Sequence, residues 1–256
     1  MYNRPSAPRT IGGVLDDSIR LYRSTFAQVW PLALAAGLVM SVPSLLWDAR
    51  LRPDGELDPQ AALALFKSGS FWLTCILELL VYIIFYNALI SALNAAAIGR
   101  EISIGAALGV GAARLPRSLG AGILLSLLAG AGLILFVVPG LYWIGIFQLV
   151  LIPIIAGNSD VRAAFAISRR LIKGHWWRAS SITGTMISIV LVVSLLGAFL
   201  GAVLTAVLKW SPATGIFMVE AAGVITTVLT LPLYPCALLA TYYDLKLRHG
   251  IEDEAT

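Results

Sequence analysis

Long uncharged, apolar stretches alternate with shorter charged segments along the whole chain. A helix that crosses a bilayer needs about 20 apolar residues, and the longest uncharged stretch, between Arg117 and Asp160, is about twice that length. It therefore predicts two crossings. Applied to the whole chain, the same criterion predicts six spanning helices, at about residues 30–47, 71–98, 119–138, 141–156, 180–208 and 215–243.

The turn inside the longest stretch is predicted at Pro139 and Gly140. Proline cannot donate a backbone hydrogen bond within a helix, and glycine tolerates the backbone angles of a tight turn. The helix that follows, 141–156, is short and contains Pro153. A re-entrant segment at this place is the alternative, and it would leave five crossings and put the C-terminus on the outer side.

The lysines and arginines are distributed unequally between the two sides of the predicted helices. With the N-terminus inside, fourteen of the eighteen lie in inner segments, and the outer segments hold Arg50, Arg52, Lys67 and Lys209. Cytoplasmic loops carry such an excess of positive charge. The tryptophans fall at the ends of the predicted helices, where the headgroups lie, which supports the same boundaries. Both termini are therefore expected in the cytoplasm.

The segment 160–174 has the pattern of an amphipathic helix, in which "NSD" provides an N-cap and Gly174 a C-cap. On a helical wheel its apolar side chains gather on one side and its cations on another. This is typical of a helix that lies in the membrane interface with its apolar side on lipid. A solvated loop whose charges only fix the topology is the alternative. The candidate contacts with lipid headgroups are Arg162, Arg169, Arg170, Lys173, Trp176, Trp177 and Arg178.

Similar patterns precede the first and third predicted helices. A tail and an amphipathic segment occupy residues 1–29, and a weaker version, "ISIGAALGVGAARLPRSLG", precedes the third helix. The sequence thus suggests three units, each an inner-surface helix followed by a helical hairpin; parallel repeats of this kind occur in transport folds. A shared position at the membrane surface, without common descent, is the alternative explanation.

The composition places the chain outside the range of soluble domains. Soluble domains have roughly 25% charged residues, whereas this chain has 12%, with 59% hydrophobic residues and a mean hydropathy of +0.86. The predicted fold class is an all-α polytopic bundle, one membrane domain over 1–256. The net charge of +4 is explained by the inner loops, and a nucleic-acid partner is not expected, because the basic segments are short and adjoin apolar stretches.

Catalytic and cofactor-binding patterns are not found in the sequence. The two histidines, His175 and His249, lie in flanking segments, and a histidine-based metal site is not expected. Cys75 and Cys236 lie at different predicted depths, so a disulfide is not expected either. The glycine-rich "GVGAARLPRSLGAG" lacks the Gly-Lys-Ser/Thr ending of a phosphate-binding loop. We therefore expect no enzymatic activity, no metal and no cofactor.

Five polar residues inside the predicted spans are candidates for function, because polar groups are costly in a bilayer. Asn87, Ser91 and Asn94 follow one another on one stripe of the second helix, while Glu78 and Glu220 lie at a similar outer depth on two helices. Together they could line a path for protons or for a polar substrate. The alternative is that Asn and Ser join helices by hydrogen bonds and the glutamates reach interfacial water.

Three motifs lie in the second half of the chain: the Pro-Gly pair at Pro139 and Gly140, the series Ser168, Leu171, Gly174 and Trp176, and the closing Tyr-Tyr-Asp-Leu at 242–245. They resemble the membrane domain of bacterial glycerophosphoryl diester phosphodiesterase membrane-domain proteins and related inner-membrane proteins. The resemblance implies a helical membrane fold and a bacterial inner-membrane location. It does not imply phosphodiesterase activity, which belongs to a soluble barrel that this sequence does not contain. Lys246 replaces the arginine expected in the closing motif.

The sequence therefore favours a non-enzymatic protein of the bacterial inner membrane, with a scaffold or accessory role in the envelope. Its basic amphipathic helices are expected to contact membrane lipids, and a membrane protein or a second copy of the chain is a candidate partner. A small transporter or channel for a polar or proton-coupled substrate, built on the intramembrane polar residues, is the alternative.

Overall fold

The structure is a computed structural model that describes residues 2–51 and 58–251. Within these ranges the chain is α-helical without strands, which confirms the predicted all-α class. Arg52 and the last five residues of the predicted C-terminal tail lie outside the described residues. The helices are α1 (Ile11–Leu51), α2 (Pro59–Phe66), α3 (Gly69–Ala97), α4 (Ile104–Leu135), α5 (Val137–Phe147), α6 (Leu151–Ala156), α7 (Val161–Ile172), α8 (Trp176–Leu208), α9 (Pro212–Thr230) and α10 (Leu233–Arg248).

Six segments of the described chain are long and apolar enough to cross a membrane, which confirms the predicted number of spans. The fourth consists of α5 and α6 and has 20 residues, the length of a full crossing. The sixth joins α9 and α10 across a turn at Leu231 and Pro232. The segments are Ile11–Trp47, Gly69–Ala97, Ile104–Leu135, Val137–Ala156, Trp176–Leu208 and Thr214–Arg248.

Short polar side chains start most of the helices that follow a loop. Each accepts a hydrogen bond from a backbone N–H in the first turn, which otherwise has no partner inside the helix. These N-cap residues are Asp58 for α2, Ser68 for α3, Ser103 for α4, Asp160 for α7 and Ser211 for α9. The loops therefore fix the starting points of the helices through side chains that sequence reasoning can recognise.

Two helices are longer than predicted. α1 continues without interruption from the surface segment within 1–29 into the first span, with Pro31 and Pro43 inside it. α4 likewise continues through Pro116 into the third span. The predicted separation of surface helix and span is therefore wrong at these two places. Hydropathy changes there, but the helical period does not, and a proline removes only one backbone hydrogen bond of a long helix.

The turn between the third and fourth spans lies at Phe136, which has extended backbone angles of φ −161° and ψ 140°. The predicted turn at Pro139 and Gly140 is therefore wrong, because both residues lie inside α5. Proline is well suited to the first turn of a helix, where its missing N–H is not needed. A Cβ on Gly132 would lie 2.7 Å from Gly140 Cα, so this glycine pair allows α4 and α5 to approach each other closely.

Spanning helices that follow one another along the chain pack on each other: α1 on α3, α3 on α4, α4 on α5, and α8 on α9. α1 also packs on α9 and α10, so the first and last spans are adjacent. The contact between α3 and α4 is as extensive as those within the three predicted hairpins. Packing alone therefore does not separate three repeat units, and the repeat stays a prediction.

The core is concentrated at one end of the bundle, which we term the α7 end: α7, the last turns of α3 and α10, and the first turns of α4 and α8. Tyr2 and Ile251, the two ends of the described chain, both pack against this core. Toward the opposite end the spans expose apolar side chains, such as Ile134 at 88% and Val138 at 76%. Exposed apolar surface of this kind faces lipid in a membrane protein. The fully buried residues of the core include Leu89, Ile90, Leu93, Leu149, Ile152, Ile154, Leu171 and Leu239.

Candidate functional site

The helix α7 begins and ends close to the predicted bounds 160–174. The Asp160 carboxylate accepts a hydrogen bond from the backbone N–H of Ala163 at 2.6 Å. At the other end, Gly174 has φ +83°, in the left-handed region that glycine adopts without strain. This backbone angle ends α7 and lets the chain change direction before α8 begins at Trp176.

The apolar side of α7 packs against the protein. Ser168 is buried and its Oγ donates to the Ile146 carbonyl at 2.8 Å. The Phe165 ring lies 4.8 Å from the Phe147 ring, centroid to centroid, and Leu171 is buried. The prediction that this side faces lipid is therefore wrong: it covers the end of the bundle. A helical wheel identifies an apolar side but cannot tell whether protein or lipid lies against it.

The opposite side of α7 is exposed and positively charged. Five of the seven predicted headgroup contacts are exposed, and Trp177 is exposed to 78%. The cations of α7 follow one another over about three turns, so they form a single basic strip. The basic strip, as the term is used below, also includes the exposed Trp177 of α8. Its members are Arg162, Arg169, Arg170, Lys173 and Trp177.

The other two predicted headgroup contacts, Trp176 and Arg178, are turned into the protein. Trp176 Nε1 donates to the Tyr142 carbonyl at 3.1 Å, and a Cβ on Gly145 would overlap that nitrogen. The indole, which belongs to the first residue of α8, therefore packs against α5. Arg178, with only 16% of its side chain exposed, forms an ion pair within the protein.

A buried ionic cluster at the α7 end was missed by sequence reasoning. Its centre is Asp244, which is 5% exposed. Arg178 Nη2 and Arg248 Nε lie 3.1 Å and 2.9 Å from Asp244 Oδ2, and the Arg9 backbone N–H donates to Oδ1 at 2.7 Å. Both arginines also donate to the Arg9 carbonyl. The available signal was a single carboxylate in the otherwise uncharged run that leads into "LKLR".

A second carboxylate, Asp17, lies beside this cluster. It is 4% exposed, and Arg9 Nε and Arg20 Nη2 each lie 3.7 Å from one of its oxygens. The hydroxyl of Tyr2 is nearby: burial, with the Asp17 charge as a second cause, raises the pKa of Tyr2 to about 12. The N-terminal segment is thus held against α1 and α10.

A polar cavity of about 560 Å³ opens at the α7 end between the N-terminal segment, the end of α3 and α10. Arg4, Arg100 and Lys246 line it, and the Arg4 guanidinium lies 4.6 Å from the centre of the Tyr243 ring. Asn94 lines the same cavity, where its Oδ1 accepts a hydrogen bond from the Tyr243 hydroxyl at 2.7 Å.

The five intramembrane polar residues do not form one path. Asn87 is buried, donates from Nδ2 to the Gly111 carbonyl at 3.3 Å, and lines a different cavity from Asn94. Ser91, between them in sequence, is buried. Glu78 on α3 and Glu220 on α9 are half-buried, and neither lines these two cavities. The two carboxylates lie on different helices, and α1 packs against both of these helices.

The two histidines are brought together, with ring centroids 5.6 Å apart. His249 Nε2 lies 3.1 Å from the Leu171 carbonyl. Burial is the main cause that lowers the pKa of His175, and His249, Arg248 and Arg178 add to it. Among the described residues no group of three or more His, Cys, Asp or Glu side chains is placed to hold a metal ion.

Comparisons of the chain with protein-family models, with curated proteins and with solved structures give no match in any of the three. The resemblance drawn from the short motifs therefore stays a prediction, and the functional argument rests on geometry. Of those motifs, the structure gives Trp176 a packing role and makes Asp244 the centre of the ionic cluster.

Proposed function

We propose that this multi-pass protein is a non-enzymatic accessory or scaffold protein of the bacterial inner membrane, which binds anionic lipid headgroups on its cytoplasmic face through the basic strip. The observation that carries the proposal is the exposure of the three α7 arginines and of the C-cap residue Lys173, together with Trp177. Arg178, a few residues away, is by contrast paired with a carboxylate. The resemblance described above supports the bacterial inner-membrane location.

The chemistry of the basic strip fits a lipid surface. Clusters of four or more Lys and Arg beside a membrane attract anionic lipids, with about 1 kcal/mol for each cation near the surface. Tryptophan favours the headgroup level, and the long arginine side chains reach from the helix toward phosphates. The excess of positive charge at the α7 end supports the cytoplasmic placement in this proposal.

The alternative, a transporter or channel, has less support. A proton-linked path needs its carboxylates to face one aqueous space, and neither Glu78 nor Glu220 lines the two cavities described above. Between Asn87 and Asn94 the side chains of Leu89, Ile90 and Leu93 are fully buried. A pH-dependent flux into proteoliposomes that is abolished by Glu78→Gln would favour the transporter over the scaffold.

The lipid-binding proposal is tested in proteoliposomes with spin-labelled phosphatidylglycerol and, separately, spin-labelled phosphatidylcholine. Electron spin resonance gives the fraction of each lipid that is held at the protein surface. We expect the wild-type protein to prefer phosphatidylglycerol. The double variant Arg169→Gln, Arg170→Gln is expected to reduce this preference about threefold or more, and high salt is expected to reduce it in the wild type.

The matched control is the double variant Lys67→Gln, Lys209→Gln. It removes the same charge from two exposed lysines at the end of the bundle opposite α7. We expect it to keep the wild-type lipid preference. If the arginine variant also keeps it, or if both variants lose it equally, the basic strip is not the lipid site and the proposal is wrong.

A further inference from the structure

A cavity of about 520 Å³ lies within the spanning part of the bundle, lined by residues of α3, α4, α5, α6 and α10 and of the turn between α5 and α6. Small-molecule sites have volumes of about 300–1,000 Å³. Leu79, Leu127 and Ile144 line one part of the cavity and are each at least 40% exposed, whereas Asn87 and Leu238 line another part and are buried. The cavity therefore opens sideways toward the hydrocarbon of the bilayer and ends inside the protein.

Polar atoms without a partner cluster at this cavity. Among the described residues, seven buried side-chain N or O atoms have no hydrogen-bond partner, and three of the seven belong to residues that line it. Two are Asn87 Oδ1 and Ser118 Oγ, on side chains that are 0% and 4% exposed. The bond from Asn87 Nδ2 to the Gly111 carbonyl fixes the orientation of that amide, so Oδ1 is left as an acceptor.

The third atom belongs to Gln148. Its Oε1 lies 2.6 Å from Thr183 Oγ1, and its Nε2 has no partner. The threonine hydroxyl also lies 2.9 Å from the Ala179 carbonyl. Because one side of the amide contacts Thr183, one atom of the Gln148 amide stays unpaired in either orientation.

Unpaired polar atoms of this kind carry a cost that a bound group would remove. A buried donor or acceptor without a partner costs about 1–3 kcal/mol, and the bilayer core offers no water to satisfy it. None of the described residues that line the cavity is charged. A ligand that enters it must therefore be neutral, since an unpaired charge would be far more costly.

We infer that this cavity binds a neutral single-chain amphiphile from the bilayer, with its apolar chain toward Leu79, Leu127 and Ile144 and its polar end against Asn87, Ser118 and Gln148. Asn87 Oδ1 requires a donor, and the Ser118 hydroxyl can supply a proton to an acceptor. The polar end therefore carries hydroxyl and ester or amide groups, the chemistry of a monoacylglycerol. A carboxylate or a phosphate is excluded by the neutral lining.

The test uses monoolein as the probe, with methyl oleate and 1-octadecene as companions of similar chain length. Methyl oleate can accept hydrogen bonds but cannot donate them, and 1-octadecene can neither donate nor accept them. Native mass spectrometry of the full-length protein from mild detergent counts the bound molecules during a titration. We expect one monoolein to be retained, about tenfold more tightly than methyl oleate, as two net hydrogen bonds would give, and 1-octadecene more weakly still.

Two variants on α4 separate a site in the cavity from general surface binding. A Cβ on Gly122 would meet nothing within 4 Å, and Gly122 lines the cavity, so Gly122→Leu fills it. Gly130 has the same free space on the same helix and does not line the cavity, so Gly130→Leu is the matched control. We expect Gly122→Leu to lose monoolein and Gly130→Leu to keep it.

A third variant tests the polar end with little risk to folding. Ser118→Ala is expected to weaken monoolein and methyl oleate alike, by about three- to tenfold, because each offers an ester acceptor to the Ser118 hydroxyl, and to leave 1-octadecene within about twofold. Equal binding of monoolein to wild type and Gly122→Leu, or equal binding of monoolein and methyl oleate, would overturn the inference. So would a wild-type protein that retains none of the three lipids, which would mean that the cavity holds only water.

Discussion

The Asp244 carboxylate brings together three parts of the chain that are far apart in sequence. Arg178 lies in the first turn of α8, Arg248 is the last residue of α10, and Arg9 contributes backbone groups from the N-terminal segment. A buried carboxylate is stable only when its charge is compensated and its oxygens accept hydrogen bonds. Here two guanidinium groups and one backbone N–H meet both requirements, so this single side chain stabilises the α7 end.

Replacing Asp244 with asparagine is expected to destabilise the protein by about 3 kcal/mol, because it leaves two half-buried arginines without their carboxylate. Chemical unfolding in detergent micelles, followed by circular dichroism, measures the change. The control is Asp16→Asn, which removes an exposed carboxylate one residue from Asp17 and is expected to cost about 0.5 kcal/mol or less. Equal losses in the two variants would show that the cluster contributes nothing specific.

His175 gives the α7 end a dependence on pH. Its pKa is lowered by burial and by nearby positive groups, so the folded protein resists its protonation while the unfolded chain does not. Below about 6.5, the ordinary histidine value, the unfolded state binds more protons and stability falls. We expect the melting temperature in detergent to decrease from pH 7.5 to pH 5.5, and the decrease to be smaller in His175→Gln. An identical decrease in both proteins would contradict this assignment.

For single residues, the sequence indicates which side chains are candidates for a structural or functional role, but not what each of them contacts. The exposure of Arg169 and Arg170 follows from their place on an amphipathic helix. The inward position of Arg178 does not, because its partner is 66 residues away. Trp176 is similar: its hydrogen bond to Tyr142 depends on how α5 and α8 pack, and no local pattern contains that information.

Between elements, the closest approach of α4 and α5 depends on glycine. Gly132→Ala is expected to destabilise the protein by about 2 kcal/mol, because the new Cβ would lie 2.7 Å from Gly140 Cα and the helices would have to move apart. Gly130→Ala, where the new Cβ meets nothing within 4 Å, is the control and is expected to be neutral or slightly stabilising. Thermal unfolding in detergent separates the two outcomes, and a neutral Gly132→Ala would show that the contact is loose.

The helices themselves could be predicted from length and hydropathy, but not all of their boundaries. The N-cap at Asp160 and the C-cap at Gly174 place α7 correctly, because both are local signals. The turn at Phe136 has no such signal: an aromatic residue in a fully apolar run takes extended angles only because the two helices meet there. Pro139 and Gly140 are the strongest turn formers nearby, yet they serve the first turn and the packing of α5.

For the whole molecule, we predict that the α7 end, which carries the basic strip, lies on the cytoplasmic side of the membrane. In a background with Cys75→Ala and Cys236→Ala, a membrane-impermeant maleimide is expected to label Lys209→Cys on intact spheroplasts. Arg170→Cys is expected to react only after permeabilisation, because the α7 end carries most of the positive charge. Both positions are exposed, so access depends on the membrane alone. The reverse labelling pattern would invert the topology and place the basic strip outside the cell.

The unequal distribution of the core is a feature of the whole molecule that the sequence does not predict. Apolar composition identifies spans, but it does not distinguish Leu93, which is fully buried, from Leu127, which is 65% exposed. Both are leucines in uncharged runs, and only the arrangement of helices decides between protein and lipid. The cavity that opens beside Leu127 cannot be predicted for the same reason, although the sequence alone makes Asn87, which lines it, a candidate functional residue.

The contact between Arg9 and Asp244 has a consequence for biosynthesis. Asp244 is translated 235 positions after Arg9, so the segment around Arg9 has no docking place until α10 has been made. A chain whose synthesis stops before α10 would insert its earlier spans but leave the segment before α1 undocked at the surface. Proteases that recognise unstructured segments would thus remove such copies and spare those in which α10 is present.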